Sequence, residues 1–351
     1  MTVNFDFIIV GQGIAGSLLG YELIKAGKKI LILDIELAEN SSKTGAGIMH
    51  PVTGRRMVKQ WKADTLIPFA KNKYRELEKE LGNKLFYEVP ILEIYTSVKN
   101  RNDWAARSSE QGLEEYLGEE IRAGMLQKYF KADAGGILIK GSGYVDMEEL
   151  VMSLQNYFQS KNAYSRGIVT SDQLIFEDGL IKRGKHTASK IIFCEGYGVK
   201  HNSFFSKLPF LPVKGEILEI FSEELPQDYI VNREMYILPT GNHHFKAGAT
   251  YEWDFENDIA SEKGKKQIDT FLKKFLNVKY EITEHRAAIR PSTQDRRPYI
   301  GLHPVYPHIG IFNGLGTKGA MLAPYFAKQF ADFLIHSGEI ENEVNVNRIT
   351  M

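Results

Sequence analysis

The chain holds a single cysteine, Cys194, among 351 residues. That scarcity excludes an intrachain disulfide and a cysteine-built zinc site, and it agrees with a reducing compartment. Excess charge is missing as well: 44 basic side chains balance 44 acidic ones. No global field therefore favours nucleic acid or an anionic membrane, although a local basic site stays open. No apolar run approaches the roughly eighteen residues of a membrane span, so no integral membrane segment is expected, and peripheral attachment stays open. Ahead of the first apolar stretch there is no basic run, and that stretch leads into glycines rather than a small-residue cleavage site. A cytoplasmic location is the expectation. Neither an internal repeat nor a low-complexity linker interrupts the chain, and no metal site is expected.

What is present suits an ordinary globular protein: 43% hydrophobic and 25% charged residues, over a length that admits two or three modules. Phe5 to Val10 predicts a short buried strand, Ile14 to Ala26 has helical spacing, and Lys29 to Leu33 returns to a strand, giving a βαβ opening. Asn40 to Thr53 reads as a loop and Asp64 to Leu81 as an amphipathic helix whose Lys and Glu residues form its wet face. Short strands from Phe86 and an acidic, helical-looking piece near Ser108 to Glu120 suggest an excursion into a second unit. A helix over Tyr144 to Ser160 and a buried strand at Ser189 to Cys194 bring the chain back. Alternating segments between Pro212 and Glu284, with a helix near Ile259 to Leu276, predict a mostly antiparallel sheet. The fold class expected is α/β plus α+β, a Rossmann-like nucleotide domain beside an antiparallel-sheet domain. The first would take residues 1–84, 141–211 and 285–351, the second 85–140 and 212–284.

Gly11-Gln12-Gly13-Ile14-Ala15-Gly16 sits where the first strand turns into the first helix. Gly11 permits the tight turn, Gly13 a close approach of pyrophosphate, and Gly16 close helix packing, while the amides of Ile14 and Ala15 at the helix start favour the phosphate charge. Asp34 ends the following strand and can accept the ribose hydroxyls; it also disfavours the 2′-phosphate of NADP. This unit predicts a dinucleotide site without choosing between FAD and NAD.

Far along the chain come Arg286-Ala-Ala-Ile-Arg290-Pro-Ser292, Asp295-Arg-Arg-Pro-Tyr-Ile-Gly301 and Gly314-Leu-Gly-Thr-Lys318-Gly-Ala-Met-Leu-Ala-Pro324. With the N-terminal fingerprint, these resemble the D-amino-acid oxidase family of FAD enzymes, especially its glycine and sarcosine oxidase branches. They also resemble the oxidative domain of the enzymes that mature carboxymethylaminomethyl-uridine in tRNA. The resemblance spans nearly the whole chain and is sharpest in the first fifty and last seventy residues. It implies FAD, oxidation of a carbon–nitrogen bond by hydride transfer to the flavin, and hydrolysis of the resulting imine.

On that resemblance Ser41, Ser42, Gly45 and Gly47 lie on the loop that approaches the flavin, Gly196 follows a returning strand, and Gly314, Gly316, Thr317 and Lys318 flank the flavin's N1 and C2 carbonyl. His50 lies near positions that carry covalent flavin in some relatives, but its surroundings are not theirs, so noncovalent FAD is expected. Arg290 matches an arginine that grips a substrate carboxylate, and Lys318 a lysine that assists it. Tyr236 matches a pocket wall, and Lys246 a lysine that stands over the flavin and promotes reaction with oxygen. The partners implied are a small carboxylated amine and oxygen or another electron acceptor. The alternatives are an amine dehydrogenase, a noncatalytic FAD-binding protein, and a tRNA enzyme using the basic cluster of Lys43, Arg55, Arg56, Lys59 and Lys62 around Trp61. With neutral overall charge, tRNA ranks below a free amine.

Overall fold

The computed structural model describes residues 3–53, 57–108, 112–177 and 179–350. Two eight-stranded sheets dominate it. In the first, strands Tyr164–Arg166, Ile30–Asp34, Val3–Val10 and His186–Phe193 run parallel in that order. The last of these is flanked along one edge by an antiparallel hairpin, Ile175–Glu177 and Leu180–Arg183, for its first half and by parallel Ile309–Asn313 for its second. Tyr299–Leu302 closes that edge. Parallel strands need both faces covered, and their central stretches, 7–10, 30–33 and 191–193, are accordingly apolar. One face packs on helices Ile14–Lys25, Ala63–Leu81, Met147–Ser160 and Gly319–His336 through Leu19, Ile32, Tyr74, Phe158 and Phe326; the other buries Phe205, Ile311 and Val346.

The second sheet runs Glu281–Arg290, Val213–Phe221, His244–Gly248, Tyr236–Gly241, Ile230–Asn232, Ile91–Ile94, Gly136–Ile139 and Leu117–Ile121. All its neighbours are antiparallel except Ile230–Asn232 against Ile91–Ile94. Helix Glu262–Phe275 lays Ile268, Leu272 and Phe275 on Leu218, Phe245 and Ala247 of one sheet face. Because side chains alternate along a strand, Lys246 and Gly248 take the opposite face. No helix among the described residues is long and apolar enough to cross a membrane.

Three local expectations change. The acidic stretch expected to be helical near Ser108–Glu120 ends in a strand, Leu117–Ile121; the helix precedes it at Val98–Arg107, started by Ser97, whose hydroxyl accepts from the Asn100 amide at 3.1 Å. The 40–53 segment is not all loop, since the Asn40 side chain caps a helical turn at Ser41–Thr44 and Ile48–Met49 pairs with Gly143–Val145. On helix Ala63–Leu81, Lys73 is buried rather than wet, and its ammonium meets the buried Glu22 of the fingerprint helix at 2.6 Å.

Candidate active site

A cleft of about 1010 Å³ is lined from both sheets. It begins at the fingerprint. The Gly11 amide donates to Leu33 O at 2.8 Å, and a Cβ at Gly11 would stand 2.5 Å from Cys194 O. At Gly16 a Cβ would stand 1.9 Å from Gly11 O, so only glycine lets the helix start this close to the strand end. Gly11, Gly13, Ile14 and Ala15 face the cleft, whereas Gly16 packs behind it. Asp34 also lines it; its two oxygens accept from the amides of Gln12 and Glu36, each at 2.6 Å. Each oxygen keeps a further lone pair for a hydroxyl. Ser42 accepts from the Ile14 amide at 3.0 Å, which ties the 40–47 segment to the helix N-terminus. Ser41, Gly45 and Gly47 line the same wall.

Opposite lies the turn after Ile309–Asn313. Gly316, Thr317 and Lys318 face the cleft at the start of helix Gly319–His336, as does Gly196. Gly314 does not: its place is set by packing, since a Cβ there would meet Thr293 Cγ2 at 2.6 Å. Asn313, which sequence reasoning missed, joins the two turns by donating to Gly196 O at 2.9 Å and accepting from the Gly314 amide at 2.8 Å. Glu195 was missed too. It is a cleft-lining carboxyl that burial pushes up to about 7, although a hydrogen bond from Asn202 at 2.7 Å pulls the other way. The buried Cys194 thiol is likewise pushed up by burial, which leaves it protonated and inert.

From the second sheet come Arg290, Tyr236, Tyr251 and the Gly215 backbone. The Arg290 guanidinium stacks 4.6 Å from the Tyr251 ring centre and donates to Thr250 O at 3.2 Å. Burial holds the Tyr236 phenol well above its usual range, so it stays a donor. Lys318 is pushed below the usual lysine range by burial and then by Arg297 and Arg296. Among the described residues neither Arg290 nor Lys318 has a carboxylate within ion-pair distance, so both cations lack a protein counter-charge. Lys246 is not brought to the cleft. It lies 4.0 Å from Glu219, its cross-strand neighbour, and Glu219 is also 3.5 Å from Arg286.

The basic cluster is consumed locally where it is described. Lys59 pairs with Asp64 at 2.6 Å, Lys62 with Glu341 at 2.5 Å, and Lys43 donates to Leu37 O. Trp61 stacks on Phe326 and carries Arg297 at 3.9 Å. Arg55 and Arg56 lie outside the described residues.

A parallel sheet with a glycine turn at a helix N-terminus, opening onto a cleft roofed by an antiparallel sheet with unpaired cations, defines a dinucleotide-dependent oxidoreductase. The chain belongs to the DAO family of FAD dependent oxidoreductases, whose family model matches residues 6–333. It is 25% identical to a glycine oxidase of Bacillus subtilis (strain 168), covering 99% of this chain and 98% of that one. Among solved structures it resembles glycine oxidase from Geobacillus kaustophilus, with TM-score 0.80 and 19% identity over 97% of this chain and 96% of that one. Iminodiacetate oxidase from Chelativorans sp. BNC1 gives TM-score 0.75 at 21% identity over 96% and 97%. The cofactor is FAD, and the cleft fits it: a helix N-terminus and close-approach glycines for pyrophosphate, Asp34 for ribose, and a second helix start at Gly319.

Proposed function

We propose that the protein oxidises a small amine bearing a carboxylate, of the glycine, sarcosine or D-amino-acid kind, to the imine, which water then hydrolyses. FAD, when bound, supplies the two-electron acceptor at its N5. The protein's part is to bind and orient. The observation that carries the reading is Arg290, a guanidinium facing the cleft with no carboxylate partner among the described residues. Its planar fork suits two parallel bonds to a carboxylate. Lys318 assists at the start of the C-terminal helix, and Tyr236, kept protonated by burial, donates to the same group or walls it. Two relatives are named for their action on glycine and iminodiacetate, which are carboxylated amines.

The electron acceptor for the second half-reaction is oxygen or another oxidant. The expectation that Lys246 promotes the oxygen step loses its support, since that ammonium lies against Glu219 and off the cleft. Modified tRNA ranks lower, because Lys59 and Lys62 are held by carboxylates. The test is anaerobic mixing with a panel of glycine, sarcosine, iminodiacetate, D-amino acids, their decarboxylated counterparts and carboxymethylaminomethyl-uridine tRNA. Flavin bleaching by carboxylated free amines is expected. Bleaching by none of them, or equal bleaching by the decarboxylated set, would overturn the reading.

A further inference from the structure

An amine gives up hydride from its α-carbon only when the nitrogen lone pair is free, yet amino-acid nitrogens carry a proton at neutral pH. Something in the cleft must take that proton. His50 lines the cleft just beyond strand Ile48–Met49, and both of its ring nitrogens are buried with no hydrogen-bond partner among the described residues. Buried polar atoms left unpaired are costly, so such a ring is set up to meet a group that arrives later. Behind it, Glu93 Oε2 stands 3.7 Å from His50 Nε2, within ion-pair reach and beyond a hydrogen bond. That oxygen is fixed by Asn232 Nδ2 at 2.6 Å, and the parallel register of Ile230–Asn232 on Ile91–Ile94 sets Asn232 directly beside Glu93.

We propose that His50 is the proton acceptor for the substrate ammonium and that Glu93 is the positioning residue that stabilises the imidazolium so formed. The inference rests on the amine reading above. An N–H bond of the ammonium breaks, its proton moves to a His50 ring nitrogen, and the electron pair stays on the substrate nitrogen. The α-C–H then leaves as hydride, its two electrons pass to FAD, and the substrate becomes the iminium.

The charged and titratable groups around His50 and along the same cleft make poorer acceptors. Glu93, Glu234 and the further acids of the cleft are carboxylates, Tyr144 and Tyr236 are phenols held protonated by burial, Arg290 is a permanent cation, and Lys200 and His201 are exposed on the Gly196–His201 turn. Lys318 and Glu195 remain, so the experiment includes both.

The experiment measures anaerobic flavin reduction by the best amine of the panel across pH 5.5 to 10 in wild type, His50→Gln, Glu93→Gln, Lys318→Met and Glu195→Gln. His50→Gln is expected to lower the reduction rate over Kd at pH 7 on the order of 10²-fold and to erase the wild-type inflection, leaving only the amine's own alkaline rise. Glu93→Gln should move the inflection to lower pH, while Lys318→Met and Glu195→Gln keep it, whatever their rates. A second readout needs no turnover: the flavin spectrum reports binding of 2-aminoisobutyrate, which has no α-hydrogen, and of 2-methylpropanoate, which has no nitrogen. His50→Gln should weaken the first about tenfold and leave the second unchanged. A retained inflection, or equal weakening of both ligands, removes the assignment of His50. If no amine bleaches the wild-type flavin, the amine reading itself falls.

Discussion

At the scale of single residues, the site contrasts a carboxyl kept from ionising with cations kept from pairing. Glu195 holds its proton up to about pH 7 because it is buried, against a usual carboxyl value near 4.5. The folded state thus binds more protons than the unfolded chain between those values, and stability falls as pH rises through that window. Glu195→Gln removes the dependence while its amide oxygen still accepts from Asn202. Its advantage over wild type should be nil near pH 4.5 and grow to at most about 3 kcal/mol above pH 8. Thermal melts of both proteins at pH 5 and pH 8 read this directly, and equal melting temperatures at pH 8 would refute it. Arg290 is the opposite case. Arg290→Met should cost about 2–5 kcal/mol in reduction rate over Kd with carboxylated amines and little with matched decarboxylated ones. Equal loss on both classes, with FAD content intact, would rule out a carboxylate clamp.

Among elements, register between distant strands decides what the cleft contains. Val213–Phe221 pairs with Glu281–Arg290 so that Gly215 lies beneath the Arg290 guanidinium; a Cβ there would stand 2.0 Å from its Nη2. Gly215→Ala should therefore displace Arg290 and reproduce the substrate selectivity of Arg290→Met with normal FAD content, measurable by the same ratio of substrate classes. Lys246 shares a sheet face with cleft-lining Gly248, but its ammonium is drawn toward Glu219 and does not line the cleft, so Lys246→Met should change neither half-reaction more than about twofold in stopped-flow traces. A selective fall in reoxidation would restore the oxygen role. These examples also show why legibility in the sequence was uneven. Gly11, Gly13, Gly16 and Asp34 could be read because one local turn dictates their spacing. The two-sheet class followed from periodicity and from the family resemblance. Asn313, Gly215 and the His50–Glu93–Asn232 group could not be read, since each depends on side chains meeting across strands or turns far apart in the chain. A glycine inside the alternating pattern of Val213–Phe221 was the one available signal for Gly215. Glu195 left no trace at all, because a raised carboxyl depends on burial.

For the whole molecule, FAD held without a covalent link is the expectation. Cys194 is an inert buried thiol, and His50 faces the cleft with Glu93 behind it. Acid precipitation should leave FAD in the supernatant, and a yellow pellet would contradict this. Ligand that binds only the folded state adds RT ln(1 + [L]/Kd), so excess FAD should raise the melting temperature of flavin-stripped protein. The parallel sheet draws on strands as far apart as Val3–Val10 and Ile309–Asn313, and helix Gly319–His336 packs against helix Ile14–Lys25. During synthesis the ribosome releases the fingerprint long before the turn at Gly316–Lys318. A nascent chain therefore carries half a nucleotide site until that turn has emerged, and flavin loading has to wait until these two distant segments meet.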